Sequence, residues 1–232
     1  MVKIQNIENH FYNILTYTYL LPPLLFLLFR NKLRQEKNGI LIATYSLTFF
    51  FLVLFEESIT TNSFSKRLYY QSFTFFEYLF LTGIFWFAIK NLRARKAILI
   101  LSLLFSAFQI IYFFTENFKR IDSIPIGIES ILILIYIFYF FFEQLKEPKG
   151  KHLWENYCFW FATGILIYLS GSFFINILAN VMEKDEIRRY WFLTYIADII
   201  KNIFLAVGVL VMAKQSPNLE KFKKNIPYLD MN

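Results

Sequence analysis

Hydrophobicity divides this chain into seven predominantly apolar stretches, and that division constrains its fold more than any other feature. The stretches are Phe11–Phe29, Gly39–Phe55, Tyr69–Ile89, Ala97–Thr115, Ile124–Phe142, Tyr157–Leu178 and Trp191–Met212, each 17 to 22 residues long. At about 1.5 Å of rise per residue, a helix of about 20 residues crosses the roughly 30 Å hydrocarbon core of a bilayer. Lipid offers no partner to free backbone groups, so open-ended spanning segments must be helical. The expected fold is all-α: residues 1–232 as one polytopic membrane domain of seven transmembrane helices, ending in a short basic tail over 213–232.

Composition agrees with this reading. Hydrophobic residues make up 57% of the chain and charged residues 18%, against about 25% charge in soluble domains. The charges gather in the short connections, the longest being Glu143–Asn156, so no soluble domain is inserted. The segment before Phe11 is polar, and Phe11–Phe29 runs into Arg30, Lys32 and Arg34 without a small-residue cleavage site, unlike a removable signal.

Basic residues set the expected orientation. The segments 30–38, 90–96, 143–156 and 213–232 together hold 15 Lys and Arg, whereas 1–10, 56–68, 116–123 and 179–190 hold 8. Positive charge concentrates on the cytoplasmic side, which puts the N-terminus outside and the C-terminus inside. Arg188 and Arg189 fall on the unfavoured side. The net charge of +7 is thus a topology signal; no basic stripe with interleaved aromatics points to nucleic acid. The tail bases Lys221, Lys223 and Lys224 either lie on an anionic leaflet or are simply solvated.

Against this background the last stretch stands out, because Lys201 lies near its middle, about 15 Å from either end. An ionisable group at that depth marks a functional site or a structural ion pair. On a helical wheel Thr194, Asp198, Lys201, Leu205 and Gly208 share one face, with Tyr195 and Asn202 at its margin. Glu77 lies about 12 Å into the third stretch and Glu129 about 8 Å into the fifth, shallow enough for the latter to be solvated at the headgroups. Ser102, Ser106 and Gln109 share a face of the fourth stretch; Ser172, Asn176 and Asn180 share one on the sixth. All the acids and amides among these fall in the outer half, which implies a polar cavity toward the outside.

The expected ligand-binding set is therefore Asp198, Lys201, Asn202, Glu77, Glu129, Gln109 and Asn176. Three carboxylates against one lysine would carry a charge of −2, so either a cation joins them or some carboxyls stay protonated. The alternative is that Asp198 and Lys201, spaced i, i+3, form a structural bridge. Gly164 and Gly171, seven apart, are expected to allow close helix packing. The Phe and Tyr residues read as lipid-facing and interfacial filler, with Trp86, Trp154 and Trp191 as belt residues. Pro22–Pro23 should break the first helix, and Pro125 should open the fifth.

Enzyme chemistry finds no support. Cys158 is the sole cysteine, His10 and His152 are expected on opposite sides of the membrane, and no GxSxG, phosphate-binding loop or HExxH occurs. Neither a metal nor a cofactor is expected.

Two resemblances bear on the residues just named. A lysine mid-way along the seventh helix, with Glu77 and Asp198 as counterions, resembles the microbial rhodopsins, in which such a lysine carries retinal. Asp198 stands three positions before Lys201 where that family has four, and the sixth stretch lacks the inward Trp and Pro arrangement. Phe76-Glu77-Tyr78, Ile128-Glu129-Ser130, Phe159-Trp160 and the run Thr163 to Gly171 are similar to uncharacterised seven-helix membrane proteins of Bacteroidota. That resemblance implies a bacterial cytoplasmic membrane and the same helix count, with no activity attached. The function expected is a receptor- or sensor-like protein that binds a small solute, proton or cation. A transporter is the alternative; a retinal-binding protein or a structural membrane subunit ranks below both. Expected partners are the bilayer and a cytoplasmic or membrane signalling protein; oligomeric state is left open.

Overall fold

The computed structural model describes residues 2–60, 62–115, 123–146, 152–178 and 181–215; the side chains of 2–8, 57, 184, 185 and 188 are outside the description. The described residues are helical with short connections and include no strand. The helices are α1 (Val2–Thr18), α2 (Leu21–Leu28), α3 (Arg30–Leu33), α4 (Lys37–Ile59), α5 (Ser63–Ala88), α6 (Leu92–Thr115), α7 (Ser123–Lys146), α8 (Tyr157–Leu178) and α9 (Lys184–Gln215), with a single 3-10 turn at Leu153–Glu155. The basic tail beyond Gln215 and Asn180 lie outside the described residues.

Pro22 and Pro23 act as the sequence implies. Helix α1 stops at Thr18, and the two prolines take the opening positions of α2, where a missing N–H costs nothing. Six segments are long and apolar enough to cross a membrane: Asn9–Leu28, which runs through the break, and those in α4, α6, α7, α8 and α9. They point to a multi-pass membrane protein. Helix α5 is not among the six, although it is 26 residues long. Its stretch over 66–77 carries Lys66, Arg67, Gln71, Thr74 and Glu77 among five tyrosine and phenylalanine rings, which dilutes its apolarity.

Helix α9 is the centre of the bundle. Within its apolar span 56% of residues are buried, against 17% in α6, which lies at the periphery. The buried face of α9 runs through Thr194, Asp198, Lys201, Asn202, Leu205 and Val209, while Ile203 and Leu210 are exposed. Helix α8 lies against α9 so closely that glycine is required at the contacts. A Cβ on Gly164 would stand 2.5 Å from the Cβ of Phe204, one on Gly171 2.8 Å from that of Ala197, and one on Gly208 would run into the Phe161 ring. Apolar helices in lipid gain little from hiding apolar surface from one another, so such close approach supplies the packing energy.

Candidate functional site

The centre of the bundle is a buried lysine held by tyrosines and carboxylates. Lys201 is 0% exposed. Its Nζ lies 2.6 Å from Asp198 Oδ1 and 3.6 Å from Glu77 Oε1, and donates a 2.5 Å hydrogen bond to the Tyr45 hydroxyl. The ammonium also stands 3.9 Å from the centre of the Tyr168 ring. The tyrosines bind the acids in turn. Tyr19 donates to Asp198 Oδ2 at 2.5 Å, Tyr168 to Glu77 Oε2 at 3.2 Å and Tyr45 to Glu77 Oε1 at 3.3 Å. Four helices, α4, α5, α8 and α9, and the α1–α2 break therefore meet in one network. Desolvating a charge without partners costs several kcal/mol, and this density of partners offsets it.

The break in the first helix helps to position the network. Tyr19 follows the last residue of α1 and reaches Asp198, while Thr18 Oγ1 accepts from Asn202 Nδ2 at 3.2 Å. Consecutive turns of α9 thus brace the interrupted segment.

A cavity of about 450 Å³ leads from one end of the bundle down to this network. Each wall is a helical stripe: Tyr12, Leu15 and Tyr19 from α1; Lys66, Tyr70, Phe73 and Glu77 from α5; Tyr168, Ser172 and Asn176 from α8; Trp191, Thr194 and Asp198 from α9. Val53 and Glu56 of α4 and Ile126 of α7 also line it. At the mouth, Glu56 accepts from Tyr70 at 3.0 Å and from Tyr12 at 3.4 Å.

The structure sorts the seven residues singled out from the sequence. Asp198, Lys201 and Glu77 join in the central network, and Asn176 lines the cavity wall. Glu129 lies within electrostatic reach of Glu77 and Lys201. The alternative of a Glu129 solvated at the headgroups does not hold: it is 3% exposed, and its Oε1 has no hydrogen-bond partner among the described residues. The reason is that α7 turns it inward beside buried Ser130 and Ile133. Asn202 and Gln109 do not belong to the cavity. Asn202 braces α1, and the Gln109 carbonyl accepts from Gln71 Nε2 at 2.7 Å in a separate α5–α6 contact. Ser102, Ser106 and Ser172 bond back to carbonyls of their own helices.

The reading of tyrosine as filler is corrected. Tyr19, Tyr45 and Tyr168 are the principal neutral ligands of the buried charges, and Tyr78 joins Tyr136 at 3.2 Å and Ser102 at 3.1 Å. Spacing offered a signal for Tyr168, four residues after Gly164 and three before Gly171, on the face that must meet a neighbour. Glu56, placed by the sequence in a connecting segment, lies inside the last turn of α4.

Among the described residues no three His, Cys, Asp or Glu side chains converge as a metal site. No family model, curated protein or solved structure matches the chain. The resemblances to Bacteroidota membrane proteins and to microbial rhodopsins therefore gain no support from these comparisons.

Proposed function

We propose that this chain is a receptor- or sensor-like protein of a bacterial cytoplasmic membrane that binds a small solute in the cavity. In this reading α5 is a seventh span, since 26 residues extend about 39 Å and Lys66, Thr74 and Glu77 face the cavity. The excess of basic residues at the opposite end of the bundle favours a cavity that opens outward. The observation that carries the proposal is the blind end of the cavity. It stops at the Lys201 network, and beyond it the bundle is filled by Ile84, Ile137, Phe140, Phe161, Leu205 and Val209. A cavity that ends on a network joining four helices and the α1–α2 break suits a solute whose binding is read out by helix movement. A cytoplasmic or membrane partner would receive that movement. The Lys201 ammonium takes the place between Asp198 and Glu77 that an inorganic cation would need, which favours a solute over a metal ion.

Two experiments test this. Impermeant maleimide applied to intact cells should label a cysteine placed at Ser63, and should spare one at Lys96, in a Cys158→Ser background. The reverse pattern would invert the orientation. In proteoliposomes, a solute that raises the unfolding midpoint should not be carried across; measured flux would make the protein a transporter.

A further inference from the structure

Twice in this cavity a lysine ammonium stands over a tyrosine ring in the neighbourhood of a carboxylate. At the floor, Lys201 stands 3.9 Å above Tyr168 and 2.6 Å from Asp198. At the mouth, the exposed Lys66 stands 5.9 Å from the ring of Tyr70, whose hydroxyl donates to Glu56. Between these levels run about 450 Å³ walled by further aromatic and aliphatic side chains. Among the described residues the lining holds three carboxylates, Glu56, Glu77 and Asp198, against one basic group, Lys66. Adding buried Lys201 still leaves an excess of negative charge.

The central acids are already engaged by Lys201 and three tyrosines. Glu56 differs: it is only partly buried, and two phenol hydroxyls orient it while leaving acceptor capacity on both oxygens. Aromatic faces beside an oriented carboxylate attract ammonium groups, by charge and by the ring quadrupole. They repel anions and give a neutral solute only the apolar share of the binding. We propose that the cavity takes an organic cation, with its ammonium head between Glu56 and the surrounding tyrosine rings and its apolar body directed inward over Phe73. This rests on the solute-binding reading above and adds the chemical class of the solute.

The test uses the full chain in nanodiscs and three near-isosteric probes: 2-phenylethylammonium, 2-phenylethanol and phenylacetate, measured by equilibrium dialysis. The ammonium should bind about tenfold more tightly than the alcohol, and the carboxylate more weakly still. Glu56→Gln should remove that preference while leaving the alcohol unchanged. Lys66→Gln, at an exposed position that folding does not need, should strengthen ammonium binding by removing a like charge. Ile126→Trp should fill the cavity and weaken every probe. If ammonium and alcohol bind alike, or the carboxylate binds best, the ligand class is overturned and solute binding stands. If no probe binds, or binding survives Ile126→Trp, the cavity is not the site and both readings fall.

Discussion

The two halves of this bundle solve the problem of filling a helical interior in opposite ways. One half encloses about 450 Å³ and the buried charges of Lys201, Asp198 and Glu77. The other is closed by aliphatic and aromatic side chains and by glycine contacts that let α8 and α9 almost touch. A buried polar link there is modest, Asn38 Nδ2 donating to Cys158 Sγ at 3.5 Å. At its rim, Glu143 accepts from the backbone N–H groups of Lys90 and Asn91 at 2.8 Å each, tying α7 to the turn after α5. The same helices run through both halves, so side-chain choice along each stripe makes the difference. In the function proposed above, the packed half is the base and the polar half the region whose geometry a ligand alters.

Substitutions in each half sharpen this contrast. Lys201→Met should have the largest effect, lowering stability by about 3–5 kcal/mol, because Asp198 and Glu77 lose their counter-charge inside the bundle. Thermal unfolding in nanodiscs measures it. The double variant Asp198→Asn, Lys201→Met should recover most of the loss; a double variant as unstable as the single one would show that the lysine acts through packing.

Tyr19→Phe removes one charge-assisted hydrogen bond from Asp198 and should cost about 1.5–3 kcal/mol in the same measurement. A midpoint equal to wild type would mean that Asp198 needs only Lys201. In the packed half, Gly208→Ala drives a methyl into the Phe161 ring, about 10 Å along α9 from Lys201, and should cost about 1–3 kcal/mol. Unlike the Lys201 change, that cost should be indifferent to removal of charge elsewhere in the bundle. Measuring Gly208→Ala in the double-neutral background checks this, since distant effects add and coupled ones do not. Leu103→Ala, on the exposed face of α6, should change stability by less than about 0.5 kcal/mol.

Much of the architecture was legible in the residues. Helix α8 has the bounds that its apolar stretch marks, Tyr157–Leu178, and the Pro22–Pro23 break and the glycine contacts lie where local chemistry demands them. Of the candidate site, Asp198, Lys201 and Glu77 were legible because charge in an apolar helix is conspicuous. The tyrosines were not, since the same phenol serves equally well at an interface, in a core or on a buried carboxylate. Gln109 and Asn202 misled for a related reason: an amide at the right depth can equally brace a neighbouring helix.

What the sequence by itself determined is the set of apolar helices, their break and close-contact points, and the presence of a lysine too deep to be solvated. These follow from local periodicity, backbone restriction and the cost of burying charge, none of which depends on distant residues. Only the tertiary structure decided which partners share that cost. Tyr19, Tyr45, Glu77 and Tyr168 lie 182, 156, 124 and 33 positions from Lys201 along the chain. Their meeting depends on how α1, α4, α5 and α8 are arranged around α9, which no local pattern encodes.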